Sequence, residues 1–288
     1  MRILTFTVPP EYEGRRALGF LRNYCGLSAR TLAKLKRVEQ GISINNQLLR
    51  SIDILCAGAL VTIRIPEFHP PAQAVPLAID ILYEDEDLLV CSKPPNMPVH
   101  SSAGHGRDTL ANAVAYHLEA KGEFLAFRPI NRLDKDTSGL VLCAKNARSA
   151  VLLAKSVSKL YYAICEGEIN GEGTIDLPLG YKEGHGIQRA VVPEGQRAVT
   201  HYKALEQARG LTLLEIRLET GRTHQIRAHF AHLGHPLAGD DMYGGGRELI
   251  IRQALHCGML RFAHPTEGRE IEIALPLPED MVGLIRNA

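Results

Sequence analysis

The stretch Leu211-Thr212-Leu213-Leu214-Glu215-Ile216-Arg217-Leu218-Glu219-Thr220-Gly221-Arg222-Thr223-His224-Gln225-Ile226-Arg227-Ala228-His229-Phe230-Ala231-His232-Leu233 changes its periodicity halfway. Leu214, Ile216 and Leu218 alternate with Glu215, Arg217 and Glu219, which predicts a half-buried strand over 211–218. Past Gly221, Ile226, Phe230 and Leu233 recur at helical spacing, which predicts a helix over 223–233. A strand running into a helix suits a nucleotide-binding sheet, but the turn here has no G-x-G-x-x-G to cradle phosphates. The corner therefore needs another fold.

Outward from it, alternating or apolar runs at 79–83, 88–91, 140–144, 161–165, 200–204 and 270–275 read as strands, and 108–118 and 147–155 as helices. Strands outnumber helices without strict alternation. The fold class is therefore α+β, a mixed and mainly antiparallel sheet. No internal repeat is evident.

The chain divides at Pro66-Glu67-Phe68-His69-Pro70-Pro71-Ala72-Gln73-Ala74-Val75-Pro76, whose prolines sustain neither helix nor central strand. We expect a domain over 1–66, a linker over 67–76 and a larger domain over 77–288. The 288 residues carry 33 Lys and Arg against 32 Asp and Glu, a formal charge of +1. Up to residue 70 there are 10 basic and 5 acidic residues, and beyond it 23 and 27, so +5 and −4 compose that near-neutral total. No acid falls between Arg15 and Arg37. Ser28 is an N-cap type residue opening a helix to Val38 in which Leu32, Leu35 and Val38 form the buried stripe. Arg30, Lys34 and Arg37 then share one outward face, a candidate RNA contact, although a solvated helix face reads the same way. Short strands follow at 42–46 and 61–65.

Composition is that of a globular protein, at 45% hydrophobic and 23% charged residues, which excludes disorder, collagen and coiled coil. No apolar run approaches the ~18 residues needed to span a bilayer, and the first residues do not form a signal peptide, so no membrane partner and a cytoplasmic location are expected. The six cysteines lack a C-x-x-C and read as reduced, mostly core thiols.

Chemistry concentrates in two segments. In Pro129-Ile130-Asn131-Arg132-Leu133-Asp134-Lys135-Asp136-Thr137-Ser138-Gly139 a carboxylate stands between two cations, which favour its ionised form and suit a nucleophile. The same residues also make ordinary turns. The second segment is the 211–233 corner and its continuation to Gly245. Its histidines, His224, His229, His232 and His235, lack the i, i+4 pair with adjacent Glu of a helical zinc site, so we expect no metal.

Residues 1–66 resemble the alpha-L RNA-binding domain of ribosomal proteins and RNA-modifying enzymes, through Ser28, Arg30, Lys34, Lys36, the run Gly41-Ile42-Ser43-Ile44-Asn45-Asn46 and Gly58-Ala59-Leu60-Val61. From about Leu77 to Leu277 the chain resembles the RluA-type pseudouridine synthases. The match rests on R-L-D-x-x-T-S-G at Arg132 to Gly139 and G-R-T-H-Q-I-R at Gly221 to Arg227, with Val90 to His100, Lys159 to Gly167, Ala198 to Tyr202 and Leu255 to Pro265 in order around them. Asn131 departs from the His that many members carry there.

The resemblance implies isomerisation of uridine in RNA, in which the N1 to C1′ bond breaks, the base rotates and C5 bonds to C1′. It implies Asp134 as the catalytic carboxylate, Arg227 as its ion-pair partner and Tyr161 as an aromatic that stacks on the base and helps move the C5 proton. Tyr162 points to the opposite strand face. The uridine must be extruded, and Arg132 is expected to occupy the vacated space. Arg222, His224 and Gln225 are expected RNA or pocket contacts, with Lys93 and His100 on a Pro-rich loop lining the cleft. No cofactor is expected, and no obligate protein partner. The added RNA-binding domain suggests structured large-subunit ribosomal RNA, with transfer RNA as the alternative. Two other readings are a non-catalytic RNA-binding or ribosome-assembly protein that keeps the fold, and a glycosidase, for which Asp136 is the second acid nearest in sequence.

Overall fold

The computed structural model describes residues 2–65, 72–102, 104–184 and 186–286. Residues 66–71 of the expected linker region lie outside them. The N-terminal part runs β1 (Arg2–Thr7), a short helical segment α1 (Ala17–Gly19) widening into a π turn (Phe20–Tyr24), α2 (Ala29–Leu35), β2 (Ile42–Ile44), β3 (Gln47–Leu48) and β4 (Leu60–Ile65). Its strands form an antiparallel sheet in the order β1-β4-β2-β3 over its own core, which includes Phe20, Leu21, Leu32, Leu35, Val61 and Ile63.

Ser28 caps α2, its Oγ accepting the Thr31 N–H at 3.0 Å. The helix stops at Leu35 rather than Val38 because the chain doubles back at Gly41, where a Cβ would stand 2.4 Å from the Leu35 carbonyl oxygen. The next residues tighten into i to i+3 turns, with Arg37 N–H to Lys34 O at 3.0 Å and Val38 N–H to Leu35 O at 3.1 Å. Arg30 and Arg37 are exposed and Lys34 is half-buried.

The larger part runs β5 (Asp80–Glu84), β6 (Leu88–Lys93), α3 (Leu110–Glu119), β7 (Ser138–Ala144), α4 (Ala147–Ser156), β8 (Ser158–Glu166), β9 (Glu172–Asp176), β10 (Leu179–Tyr181), β11 (Arg189–Val191), β12 (Val199–Ala208), β13 (Leu211–Leu218), α5 (Gln225–His232), β14 (Leu255–Ala263), β15 (Glu270–Ala274) and α6 (Glu279–Arg286). Among the described residues nine strands make one sheet in the order β5-β6-β7-β14-β8-β13-β12-β9, with β15 pairing β14. The fold is α+β, and every pairing in this sheet is antiparallel except β7 with β14. β10 and β11 form a separate hairpin.

The alternation expected at 211–218 sorts the two faces. Leu214 and Ile216, with Tyr161, Ala163 and Cys165 of β8, join the core under α5. Leu211, Leu213 and Ile164 face the other way, against Met281, Leu284 and Ile285 of α6, and Tyr162 packs there too. The period of two in β8 thus sends Tyr161 and Tyr162 to opposite faces.

Two anchors tie the remaining pieces down. In the second half of the linker, the Gln73 carbonyl accepts from Asn112 Nδ2 at 2.8 Å, which fastens it to α3. Arg148 of α4 is buried against the N-terminal part, its Nε donating to Cys25 O at 2.7 Å and its guanidinium 5.1 Å from the Phe6 ring centroid. Five of the six cysteines are buried, Cys56 is exposed, and all are free thiols.

Candidate active site

Asp134 follows the chain's entry towards β7, and Arg227 lies one turn into α5. The sheet brings them together, with Arg227 Nη1 donating to Asp134 Oδ2 at 2.9 Å. The side chains differ in exposure, 26% for Asp134 and 6% for Arg227. Asp134 therefore looks into open space while the guanidinium lies beneath it.

The carboxylate that is buried is another one. Arg227 Nε and Nη2 donate to Asp240 Oδ2 and Oδ1 at 2.7 and 2.8 Å, and the Asp240 side chain is fully enclosed. Burial opposes the Arg227 charge, but Asp240 and then Asp134 outweigh it and raise its pKa above the ordinary arginine value. Removing Arg227 would thus strand Asp240 more than Asp134. Asp240 is also a second acid on the guanidinium that Asp134 uses. Its two oxygens are spent on a guanidinium and it does not line the cavity, so it is not disposed as the second carboxylate of a glycosidase.

His224 begins α5 in a left-handed conformation, φ 55°, which is uncommon outside glycine and concentrates at functional sites. That geometry brings its Nε2 to 3.8 Å from Asp134 Oδ2 and its Nδ1 to 3.0 Å from the Tyr243 hydroxyl. The Tyr243 oxygen accepts the Arg189 N–H at 2.8 Å, and its ring lies 5.0 Å from the Arg227 guanidinium. Burial lowers the His224 pKa, with Asp134 acting against it.

Asp134, Arg227 and His224 line one solvent-open cavity together with Tyr161, Leu218 and Leu255. Tyr161 is buried in β8; burial pushes its phenol pKa well up, and Cys257 and Asp134 add to the shift, so the group is a neutral phenol at physiological pH. Arg132 and Arg222 are exposed at the mouth, where this cavity opens into a groove that His100 and Lys135 also line. Arg222 is held there by its Nε on the Arg197 carbonyl at 3.0 Å.

Two of the expected contacts have buried side chains. Gln225 lines the cavity, but its amide is spent internally, its Oε1 accepting from Thr220 Oγ1 and the Arg222 N–H at 2.8 and 3.0 Å and its Nε2 donating to Val199 O and Thr200 Oγ1 at 2.9 and 3.0 Å. It fastens the Gly221 turn to β12. Lys93 is not on the loop but ends β6, fully buried, its Nζ donating to the carbonyls of Pro94, Met97 and Lys135 at 2.7, 2.9 and 2.9 Å. Burial pulls its pKa down to about 7 with Asp136 and Asp134 opposing, yet three acceptors call for the three hydrogens of the ammonium form.

Asn131 is a strand clamp. Its Nδ2 donates to Leu140 O and its Oδ1 accepts the Leu142 N–H, both at 2.9 Å. Arg30, Lys34 and Arg37 line neither the cavity nor the groove. The histidines disperse: His229 bonds Thr200 Oγ1 at 2.9 Å and His235 the Glu166 carbonyl at 2.9 Å.

Residues 87–232 match the family model described as RNA pseudouridylate synthase. An uncharacterized RNA pseudouridine synthase of Bacillus subtilis is 38% identical over 100% of this chain and 98% of its own length. The ribosomal large subunit pseudouridine synthase D of Pseudomonas aeruginosa is 40% identical over 85% of this chain and 82% of its own. Among solved structures, human RNA pseudouridylate synthase domain containing 1 matches with a TM-score of 0.58 and 27% identity, covering 69% of this chain and 83% of that one.

The chain belongs to the RNA pseudouridine synthase family. Asp134, Arg227 and His224 all fall within the matched span, as do Arg132, Tyr161, Arg222 and Gln225. Asp240 and Tyr243 lie beyond its end, although Asp240 pairs with Arg227 and Tyr243 bonds His224. As a pseudouridine synthase the protein is an isomerase acting on uridine in RNA, a reaction whose atoms balance without an external group: C5 loses a proton, N1 gains one, and C1′ changes partner.

Proposed function

We propose that this pseudouridine synthase modifies large-subunit ribosomal RNA, with Asp134 as the catalytic carboxylate, and that it does so in the cytoplasm. The observation that carries the mechanism is the chain Asp134–Arg227–Asp240, in which one guanidinium is locked by a fully enclosed carboxylate and offers its remaining face to a carboxylate open to the cavity. Arg227 is thus a fixed cation that aims the Asp134 carboxylate, preorganised before substrate arrives. The carboxylate attacks the nucleoside or assists departure of N1 from C1′. Tyr161 supplies an apolar ring for the detached base. Its phenol passes a proton only as a relay, accepting on oxygen while releasing its own hydrogen.

A uridine reaches this cavity only when extruded from its stack, and Arg132, exposed at the mouth, is set to fill the space it leaves. Arg222 takes a phosphate at the rim. The ribosomal reading draws on the name of the Pseudomonas aeruginosa relative and on the separate basic N-terminal unit, in which we assign residues 1–66 to RNA binding and Arg30, Lys34 and Arg37 to phosphate contacts.

Pseudouridine mapping of total RNA from a strain lacking the gene, beside its parent, tests the substrate. The expected result is loss of one or more pseudouridines from large-subunit ribosomal RNA alone. Loss confined to transfer RNA would replace the substrate but keep the chemistry.

A further inference from the structure

The three residues that follow Asp134 are each tied down from beneath the cavity. The Lys135 carbonyl accepts from Lys93 at 2.9 Å, the Asp136 carbonyl from Arg252 Nη1 at 3.3 Å, and Thr137 Oγ1 from Gln253 Nε2 at 3.2 Å. Lys93, Arg252 and Gln253 are all buried. Lys93 and Arg252 line neither the Asp134 cavity nor its groove, so neither is placed to touch substrate.

Arg252 has a fixed setting of its own. Its Nε and Nη2 pair with both oxygens of Asp280, at 2.7 and 2.8 Å, in the first turn of α6. Its Nη1 also reaches the carbonyls of Gln253 and Leu255 at 3.1 and 3.4 Å. Leu255 itself lines the cavity. The other side of α6 is cemented to the far face of the sheet by Met281, Leu284 and Ile285. A planar guanidinium held at two points by a carboxylate has its remaining N–H directions determined. Whatever fixes Asp280 therefore fixes where the Asp136 carbonyl can sit.

We infer that Arg252, set by Asp280 of the C-terminal helix, is a positioning residue that holds the Asp134 loop in its reactive geometry without touching RNA. The segment Asp134 to Thr137, which leads into β7, is made of turn residues with little core of their own, Leu133 being the buried apolar neighbour. Without fastening its carboxylate would wander, and a misplacement of about 1 Å costs on the order of 100-fold in rate. This inference rests on the reading of Asp134 as the catalytic carboxylate.

The test is single-turnover tritium release by the full-length protein, from a 5-tritiated uridine transcript on which the wild-type protein acts, with RNA affinity measured in parallel. Asp280→Asn removes the charge that sets Arg252 from a partly exposed side chain and is expected to fold. It should lower the saturating rate about three- to thirtyfold while RNA affinity stays unchanged, and Asp280→Glu should recover most of that rate. Arg252→Ala should slow the reaction about 100-fold, and adding Asp280→Asn to it should cost little more, since the pair acts as one unit. An Asp280→Asn protein with the wild-type saturating rate, or one whose defect lies wholly in RNA affinity, overturns the inference, even if Arg252→Ala fails to fold. Asp134→Asn serves as the reference. If that variant keeps activity the reading of the site itself fails, whereas if it is dead and Asp280→Asn is fully active only the positioning role fails.

Discussion

Arg227 serves two carboxylates with unequal claims, and its pairing with Asp240 is the more demanding. A guanidinium at 6% exposure has little water to fall back on, and Asp240 satisfies it at two points. Removing one partner of a buried ion pair typically costs about 3–5 kcal/mol, because the other charge is left unpaired. Asp240→Asn is expected to lose stability at the lower end of that range in urea denaturation and to lower the rate sharply, since Arg227 would then lean on Asp134 alone. Asp134 stood out from its flanking cations and Arg227 only through the family resemblance carried by G-R-T-H-Q-I-R, and neither route pointed to Asp240 or Tyr243. Gly239-Asp240-Asp241-Met242-Tyr243-Gly244-Gly245 reads as turn chemistry. Only the packing shows why glycine stands there: a Cβ at Gly239 or Gly245 would come within 2.0 Å of the Arg252 or Leu237 carbonyl oxygen. An acid hemmed in by such glycines was the one available hint. Asn131 likewise showed its departure in the sequence but not its use, because the strand it clamps is fixed only by the fold.

At the scale of elements, the strand over 211–218 and the helix that follows were visible because each has one buried face. β14 was not, because it lies in the middle of the sheet and is buried on both sides for most of its length, which erases the alternation. β10 and β11, three residues each, are too short to show any period. α6 hides near the end of the chain with only Met281, Leu284 and Ile285 facing inward. The parallel pairing of β7 with β14 is brief, His256 to Ser138 and Cys257 to Gly139, and it places the Asp134 loop against the strand whose Leu255 lines the cavity. Gly139 makes it feasible, with φ 119° and a virtual Cβ only 2.4 Å from the Cys257 carbonyl oxygen. Gly139→Ala combines a strained backbone with a backbone clash, so we expect destabilisation by about 3 kcal/mol or more, read as a lowered denaturation midpoint with activity falling in step.

Over the whole molecule, the formal charge of +1 hides a basic unit joined to a mildly acidic one. Replacing Arg30, Lys34 and Arg37 together by Gln should reduce the slope of log affinity against log salt by about 2 to 3, at roughly 0.7–0.9 for each phosphate that is no longer neutralised, while the saturating rate holds. Acid should weaken the fold. Burial holds His256 down to about 4 and lowers His224, His229 and His100, all of which titrate near the ordinary histidine value once unfolded. The unfolded chain then binds more protons than the folded one between about 4 and 6.5, so this stability is complete above that window and lost as pH falls through it. His256 alone accounts for about 2 kcal/mol of that decline by pH 5, and His256→Asn should flatten part of the fall in melting temperature between pH 7 and 5. The central claim is that a single carboxylate, held by Arg227 above Asp240, carries out the isomerisation, and tritium release from RNA labelled at uridine C5 tests it most directly. Asp134→Asn should release none while binding RNA with nearly wild-type affinity, and release at the wild-type rate by that variant would contradict the account.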